Sequence, residues 1–503
     1  MSNSVYDYRL TKRNNWIENK KEKYPSRFEK THNAINVKTL NDGEYVSYAG
    51  RLIKIRNLGK ITFLQIKDHT ESVQVSLDIN SIGKQEYTLI TSHLDIGDYI
   101  GVAGKVYTTK TQEKTIQIDK CSLLSKALRP LPEQYGGLND PESRIRQRYL
   151  DLLANEETWK RFELRNNLIK FIRGYLEKND FFEVETPVLQ PVATGASARP
   201  FVTHHHTMDI DLFLRIAHEP YLKRLMVGGY ERIFEIGKCF RNEGIDPSRL
   251  QEFTLLEYYA AYWDYKDNMR FMQTMIQDAV KSLKGSYKVE YQDKVIDFQG
   301  EWPEITFRDL LVEYTGIDIN VVTTLDSLKN EIKSKELDID VNLYVSYSSL
   351  LDALYKKFSR PNIIQPTFVT RYPTELVCLS RRCDDDPSKL ELFQLVVNSW
   401  ELIKAYSELV DPIEQSERFN EQTRLIEAGD EEAMMADEEY VLCMEYGMPI
   451  MSGIGLGIDR LLGILTNVKN IRDTIYFPPV RPINRSELNY QVEKFEKAKT
   501  TNN

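Results

Sequence analysis

The chain is poor in cysteine, has no long apolar run and carries no overall surplus of positive charge. Each absence excludes something. The five cysteines are scattered and odd in number, a usage that fits reduced thiols in a cytoplasmic setting rather than a disulfide-stapled secreted protein. Cys378 and Cys383 are the one close pair, and with no second pair to complete a zinc set they read as packing residues. No stretch approaches the ~20 apolar residues of a membrane-spanning helix. Tyr6, Asp7, Arg9 and Lys12 interrupt any signal-peptide pattern, so the expectation is a cytoplasmic protein that does not meet a membrane. The net charge of −9 does not advertise nucleic-acid binding. Positive charge is concentrated locally, however. Residues 1–35 hold Arg9, Lys12, Arg13, Lys20, Lys21, Lys23, Arg27 and Lys30 against Asp7, Glu18, Glu22 and Glu29. Such an excess suits phosphate contacts as well as a solvated helix face, and the sequence leaves both open.

At 503 residues the chain exceeds one hydrophobic core, so two or three domains are expected. Residues 1–35 read as a basic N-terminal extension. Its polar helix, over 5–23, has Leu10 and Ile17 on one face and stops before Pro25. Over 36–128 the pattern changes to short alternating strands, at 45–56, 61–67, 73–77, 99–107 and 115–121. Gly50, Gly59, Gly97, Gly101 and Gly104 act as punctuation. Five strands in this length suit a small Greek-key barrel of the OB type, a frequent binder of nucleic acid. A linker over 129–145 opens with Arg129-Pro130-Leu131-Pro132. The unit that follows, 146–482, begins with a long helix carrying Leu164, Leu168, Phe171, Ile172, Tyr175 and Leu176 at helical spacing, then a strand from Phe182 to Pro187. An insertion is expected at about 285–365, and a polar, frayed tail at 483–503.

Two distant arginines carry the chemistry. Arg241 sits in Phe240-Arg241-Asn242-Glu243-Gly244, followed by a polar loop with Asp246, Arg249 and Glu252 and a strand-forming run from Phe253 to Tyr262. Arg460 closes Gly453-Ile454-Gly455-Leu456-Gly457-Ile458-Asp459-Arg460. In this order, far apart and behind the helix–strand–Pro segment, they resemble motifs 1 to 3 of the class II aminoacyl-tRNA synthetases. The resemblance implies an α+β protein, with an N-terminal five-stranded OB barrel ahead of a class II catalytic domain whose mainly antiparallel sheet is flanked by helices. It also implies a homodimer formed through motif 1. Amino-acid activation brings a carboxylate onto the α-phosphate of ATP, so the task is positioning and charge neutralisation. A planar guanidinium fork meets both anions where an ammonium cannot. That role falls to Arg241, with Glu243 accepting from the adenine amino group. Phe253 and Arg460 would cover the two faces of the base, Arg249 would meet the γ-phosphate, and contacts of the cation–π kind contribute roughly 0.5–2 kcal/mol each.

Residues 193–203, 204–206, 214–229, 231–244, 427–446 and 471–482 narrow the resemblance to the bacterial-type lysyl-tRNA synthetases. The partners implied are L-lysine, ATP with Mg²⁺, and tRNA(Lys). A substrate ammonium in a closed pocket needs acidic partners. By family position Glu257 and Glu408 face it with Tyr259 beside them, Glu219 and the Gly195 backbone hold the α-amino group, and Tyr406 packs on the methylene stem. Glu391 and Glu401 resemble the carboxylates that carry Mg²⁺. On the barrel, Phe63 matches an aromatic that stacks on an anticodon base while Arg51, Arg56 and Gln74 read its edge. Such stacking is worth roughly 1–3 kcal/mol, although Phe63 also reads as a core aromatic. The run His204–His206 is not a metal site, since neighbours on an extended chain point to opposite faces.

Three departures stand out. Leu250 replaces an Asn that helps hold ATP in this family. Lys404 replaces an Asn that touches the substrate carboxylate, and pairing with that carboxylate is the role expected of it. The segment from Phe393 to Glu401 reads longer than the family pattern, which leaves the register of Glu391 open. Three other readings compete: a paralogue that lysylates a protein, which would lack the barrel; a non-catalytic RNA-binding paralogue, which would have lost Arg241, Glu243 or Arg460; and a class II enzyme for another amino acid, for which Lys404 is the clue.

Overall fold

In the computed structural model the short strands of the first region close on themselves. The structure describes residues 4–20, 23–132, 138–244, 246–430 and 433–482; the expected tail at 483–503 lies outside them. Strands β1 (Tyr45–Asn57), β2 (Ile61–Lys67), β3 (Ser72–Asp78), β4 (Tyr99–Thr108) and β5 (Lys114–Ser125) form a closed barrel in the order β1-β2-β3-β5-β4. All pairs are antiparallel except β3 with β5. Strict alternation sends Val46, Tyr48, Leu64, Ile66, Val73 and Val75 inward. Gly50 and Gly104 lie inside strands, as the expected strand bounds have them. A Cβ at Gly50 would come 2.5 Å from the Lys67 carbonyl, and one at Gly104 would overlap the Gln117 carbonyl.

The N-terminal helix runs Ser4–Lys20, and its buried residue is Trp16, 4% exposed, rather than Leu10 or Ile17. An indole offers the most apolar surface on that helix and settles its rotation. Much of the local basic charge is spent on the fold itself. Lys12, Lys20 and Lys30 pair with Asp95, Glu86 and Asp68 at 2.8, 2.5 and 2.6 Å, and Arg9 donates to the carbonyls of Ile96, Ala127 and Arg129.

The chain divides into two units, Met1–Asn155 and Glu156–Asn503, later than the boundary expected at 146. The end of the expected linker and the residues after it form helices, Pro141–Arg146 and Arg148–Ala154. Asp140 caps the first by accepting from the Ser143 amide at 2.8 Å. Asp151 ties the second helix to the first through Arg144 at 2.8 Å and pairs with Arg148 of its own helix at 2.5 Å.

The second unit is built on strands β6 (Phe182–Glu183), β10 (Arg232–Phe240), β11 (Glu252–Ala261), β14 (Glu304–Thr306), β15 (Thr367–Thr370), β16 (Leu392–Val397), β17 (Trp400–Ser407) and β18 (Met451–Gly457). Small separate sheets are made by β7 (Leu189–Gln190), β8 (Val202–His205) and β9 (Ile210–Leu214), and by β12 (Lys288–Tyr291) with β13 (Lys294–Asp297). The main sheet has the order β14-β15-β16-β17-β18-β11-β10-β6 and is antiparallel except at its two edges. One face packs on the helices Glu156–Lys178, Tyr265–Lys284 and Ile458–Leu465 through Leu168, Ile172, Met272, Ile276 and Leu462. The other carries a second core, with Leu222, Phe307, Leu351 and Phe419. The strand expected from Phe182 to Pro187 is only two residues long, because Thr186 turns in to donate to Glu235 at 2.6 Å and Pro187 has no amide to offer a ladder. The stretch expected as an insertion is part of the body: β14 edges the main sheet, and Leu350, Leu351 and Leu354 are buried in the second core.

Candidate active site

The register of the central strands sets out the site. Gln394, Lys404, Gly455, Glu257 and Glu235 stand opposite one another in a row across β16, β17, β18, β11 and β10. Two residues away runs a second row of Leu392, Tyr406, Gly453, Tyr259 and Ile233. Gly455 leaves the middle of this floor bare, while the Tyr259 ring packs over Gly453, and above the floor opens a cavity of about 420 Å³. It is lined by Gly195, Glu219, Arg241, Glu243, Arg249, Phe253, Glu257, Tyr259, Glu401, Lys404, Tyr406 and Arg460. Nearly all the predicted catalytic, nucleotide and amino-acid residues therefore meet on one surface.

One end of the cavity is cationic. The Arg241 guanidinium lies 5.1 Å from the Phe253 ring centroid and donates to the Ile216 carbonyl at 3.3 Å. Arg460, one turn into the helix after β18, donates to the Glu401 carbonyl at 2.7 Å. Burial pulls the Arg460 guanidinium below its ordinary value; Glu401 opposes this, and the like charges of Arg360, Arg241 and Arg249 add to it. Burial pushes the Glu401 carboxyl up, but Arg460, Lys404, Arg360 and Lys356 hold it below its usual range. A cluster of guanidinium groups around one buried arginine is a ready-made site for a polyanion. Arg360 and Lys356 come from the stretch expected as an insertion, and no motif announced them. Arg249 is exposed and held by Asp246 at 3.1 Å and Glu243 at 3.7 Å. Its neighbour Leu250 also lines the cavity, packed in a small apolar cluster with Ile471 and Ile475. It anchors the loop where the family has an amide.

The helix start behind Arg460 is fixed by Asp459. This carboxylate takes the Thr254 amide at 2.7 Å and pairs with Arg165 at 2.5 Å, while Arg165 also donates to the Thr254 hydroxyl at 2.8 Å. Neither Asp459 nor Arg165 was singled out from the sequence. Asp459 was visible within its motif, but its partner is remote in the chain.

The other end is acidic and closed. Glu257 is 5% exposed, and its Oε2 has no hydrogen-bond partner. Burial raises its carboxyl well above the ordinary range, and Glu219 adds to this. Glu408 is 2% exposed and does not line the open cavity; burial pushes its carboxyl up to about 8. Tyr406 donates to Glu219 Oε1 at 2.6 Å. Gly195 adopts φ +91°, and a Cβ there would come 2.8 Å from Pro220, which only glycine avoids. Lys404 is half-buried and makes no hydrogen bond or ion pair among the described residues.

Glu391 is absent from the cavity, a correction to the expected metal pair. It pairs with Arg381 at 2.5 Å. Its neighbours Leu392 and Phe393 belong to opposite cores, and this alternation turns the cavity-facing place to Gln394. Of the two carboxylates only Glu401 lines the site, and among the described residues no group of three or more His, Cys, Asp or Glu side chains is arranged to hold a metal. His204, on β8, pairs with Asp211 at 2.9 Å and Asp209 at 3.3 Å. Cys378 and Cys383 are buried and free, as packing residues are.

On the barrel, alternation decides the orientation of Phe63. It lies on the outer face, half-buried, between buried Thr62 and Leu64, and so is not a core aromatic. Arg56, Phe63 and Ser76 stand opposite one another across β1, β2 and β3, next to a row of Lys54, Gln65 and Gln74. Gln74 donates to the Thr115 hydroxyl at 2.9 Å. Arg51 lies further along, beyond an irregularity in β1, with its guanidinium 4.3 Å from the Tyr99 ring centroid. The structure thus groups three of the four predicted base-reading residues and sets Arg51 apart.

Comparison with known proteins agrees with this geometry. Residues 140–481 match the family described as tRNA synthetases class II (D, K and N), and residues 46–124 match the OB-fold nucleic acid binding domain. The chain is 43% identical to the lysine–tRNA ligase of Thermosipho africanus over 479 residues, 93% of this chain and 94% of the relative. It is 44% identical to that of Aquifex aeolicus over 438 residues, 87% and 73% of the two chains. With that of Clostridium tetani the identity is 43% over 462 residues, covering 91% and 92%.

Proposed function

The chain belongs to the class II tRNA synthetases of the D, K and N group, and from that premise we propose that it activates L-lysine with ATP and transfers the lysyl group to tRNA(Lys). The observation that carries this reading is the polarity of one cavity. Guanidinium groups gather at one end, while at the other Glu257 Oε2 is buried without a partner. A polyphosphate fits the first and an ammonium the second.

In the first step a carboxylate oxygen of lysine attacks the α-phosphorus of ATP. The P–O bond to the β-phosphate breaks, pyrophosphate leaves with that electron pair, and lysyl-adenylate remains. Arg241, between the two ends, neutralises both the attacking carboxylate and the α-phosphate, and Lys404 pairs with the same carboxylate. Glu243 accepts from the adenine amino group, Phe253 and Arg460 take the faces of the base, and Arg249 takes the γ-phosphate. Glu257, Glu408 and Tyr259 receive the side-chain ammonium, Glu219 and the Gly195 backbone hold the α-amino group, and Tyr406 packs on the stem. In the second step a ribose hydroxyl of the tRNA terminus attacks the lysyl carbonyl and AMP leaves. ATP enters as its Mg²⁺ complex. Of the two carboxylates expected to hold Mg²⁺ only Glu401 lines the cavity, and it would meet an ion carried on the phosphates, which would supply further neutralisation of their charge. The barrel face of Arg56, Phe63 and Gln74 is the reading surface for the anticodon, with Arg51 at its margin.

The exposed rings of Phe182 and Tyr230, 5.8 Å apart, support assembly as a homodimer through the motif 1 segment. No helix among the described residues is long and apolar enough to cross a membrane, and we place the protein in the cytoplasm.

The test is amino-acid-dependent ATP–pyrophosphate exchange over all twenty amino acids, without tRNA. Exchange with lysine alone is expected. Exchange with another amino acid overturns the substrate and makes Lys404 the reason; none at all favours an RNA-binding paralogue. Phe63→Ala is expected to leave exchange intact and weaken aminoacylation of tRNA.

A further inference from the structure

One buried charge has no part in this scheme. Lys223 follows Glu219 by one helical turn, and its ammonium is completely buried. Glu219 lies 2.5 Å from it, and Glu408 is its second ion-pair partner. The ring centroids of Tyr406, Tyr259 and Tyr440 stand 5.5, 5.9 and 5.9 Å away. Tyr440 is set there by the helix Glu438–Glu445, whose cap Asp437 is gripped by Arg224 at 2.9 Å. Carboxylates and aromatic faces around an ammonium are the chemistry that recognises a lysine side chain. Here the occupant is the chain's own.

The oxygen atoms show what remains for a substrate. Glu219 Oε1 serves both Lys223 and the Tyr406 hydroxyl, and Glu408 Oε2 faces Lys223. Glu257 Oε2 and both oxygens of Glu408 are buried without hydrogen-bond partners, and Oε1 is the Glu408 oxygen that has no ion-pair contact either. Gly453 lines the cavity, and a Cβ there would come 2.8 Å from Glu408 Oε1 and 2.2 Å from the Tyr259 ring, so the missing side chain lets this oxygen and this ring meet at the cavity wall. Charge closes the argument. When all three are ionised around bound substrate, Glu219, Glu257 and Glu408 together carry three negative charges; Lys223 offsets one, and the two left over match the two ammonium groups of lysine.

We propose that Lys223 is the positioning and specificity residue of amino-acid recognition: its ammonium forms the back wall of the side-chain pocket, fixes Glu219 and Glu408, and leaves one free oxygen of Glu408 to stop the substrate ammonium. Other amino acids with one ammonium leave a surplus negative charge in the pocket, and longer cations meet a like charge at its end. This inference rests on lysine being the substrate.

The experiment uses the full-length protein in lysine-dependent ATP–pyrophosphate exchange, with wild type run alongside. Lys223→Met keeps the volume and removes the charge. Its KM for lysine is expected to rise by at least ~30-fold, the loss typical of a charged hydrogen bond, with kcat and the KM for ATP within about threefold. Lys223→Ala, which leaves a hole the size of a propylammonium ion, is expected to recover about tenfold in KM when ethylammonium is added, and nothing with ethanol. Lys223→Arg keeps the charge and moves the wall inward, so its preference for lysine over ornithine is expected to fall by about tenfold, the worth of one methylene. This arm stands even if the uncharged variants do not fold. An unchanged lysine KM in folded Lys223→Met overturns the inference. So does equal damage to ATP and lysine parameters, an alanine variant indifferent to ethylammonium, or an unchanged lysine-to-ornithine ratio. Wild type without lysine-dependent exchange overturns the substrate reading and takes the inference with it; normal wild type beside an unaltered variant overturns the inference alone.

Discussion

At the nucleotide end of the cavity Arg249 is open to solvent and tied only to carboxylates of its own loop. At the amino-group end Glu257 and Glu408 are sealed from water, and each has an oxygen without a hydrogen-bond partner. The two ends face oppositely charged parts of one reaction, and they pay for it differently. Guanidinium groups keep their charge when partly desolvated and can wait in solvent for a polyphosphate. Carboxylates enclosed among tyrosines instead resist ionisation until a cation arrives. The nucleotide end thus contributes catalysis through positioned charge. The amino-group end contributes selection, because only a matching cation relieves its cost.

The largest break in this contrast comes at Arg241, the one side chain asked to serve both substrates. Arg241→Lys keeps a positive charge and loses the fork. The adenylation rate is expected to fall by about 10²–10³-fold, as when an oriented donor to a developing charge is removed, while the KM for ATP moves by only a few fold. Exchange kinetics that show equal loss in both would make Arg241 an ordinary phosphate contact.

Glu257→Gln probes the other end. It keeps the shape and hydrogen-bonding capacity of the side chain and removes the charge that waits for an ammonium. The KM for lysine is expected to rise by about 10²-fold, the scale of a charged hydrogen bond in a closed site, with a smaller change in kcat. A larger effect on the ATP KM than on the lysine KM would dissolve the distinction between the ends.

The contrast also predicts a pH dependence on one side only. The Glu408 carboxyl is held up to about 8, and Glu257 is raised as well, both by burial first. The empty site therefore holds protons that an incoming ammonium must displace. The KM for lysine is expected to fall by up to about tenfold per pH unit between 6 and 8, with a proton released on binding that calorimetry in two buffers would detect. The sign for stability runs the other way. A carboxyl raised in the folded state binds its proton more tightly there, so the unliganded protein loses stability as pH rises from the ordinary carboxylate range towards 8. Lysine should accordingly raise the melting temperature more at pH 8.5 than at pH 6.5. Equal stabilisation at both would mean that these carboxylates are already ionised in the empty site.

Much of the nucleotide end was legible in the sequence, and the reason is local. Arg241 follows directly on a strand of the central sheet and Arg460 stands in the first turn of the helix after another, so a short motif fixes both their identity and their direction. Lys356 and Arg360 were not legible, because the turn that bears them reaches the cavity only through the burial of Leu350, Leu351 and Leu354. Glu391 failed on parity: a shift of one residue on a strand exchanges faces, and Gln394 has the place. The carboxylates of the amino-group end were found by family position and their apolar surroundings. Their partner was missed, since only the Glu219–Lys223 spacing is local and Glu408 is remote. The barrel was legible almost strand by strand, and alternation alone would have turned Phe63 outward.

The smallest expected effect falls at Lys404, where the two ends meet. In the central row it stands on β17, separated from Glu257 on β11 only by Gly455 of the intervening β18, and it acts through space on Glu401. It is the one cation in that row, and no side-chain partner among the described residues holds it in place. If it pairs with the substrate carboxylate, Lys404→Asn restores the family amide and exchanges an ion pair for a neutral hydrogen bond. The expected rise in the lysine KM is then only about three- to tenfold, the difference between charged and neutral contacts in a partly open site, with the ATP KM unchanged. A shift in the ATP KM instead would assign Lys404 to the phosphates and move the border between the ends by one strand, towards Glu257. The variant separates the two because the carboxylate and the phosphates are varied independently in exchange kinetics, and a residue that touches one cannot alter the other's saturation without also altering the chemical step.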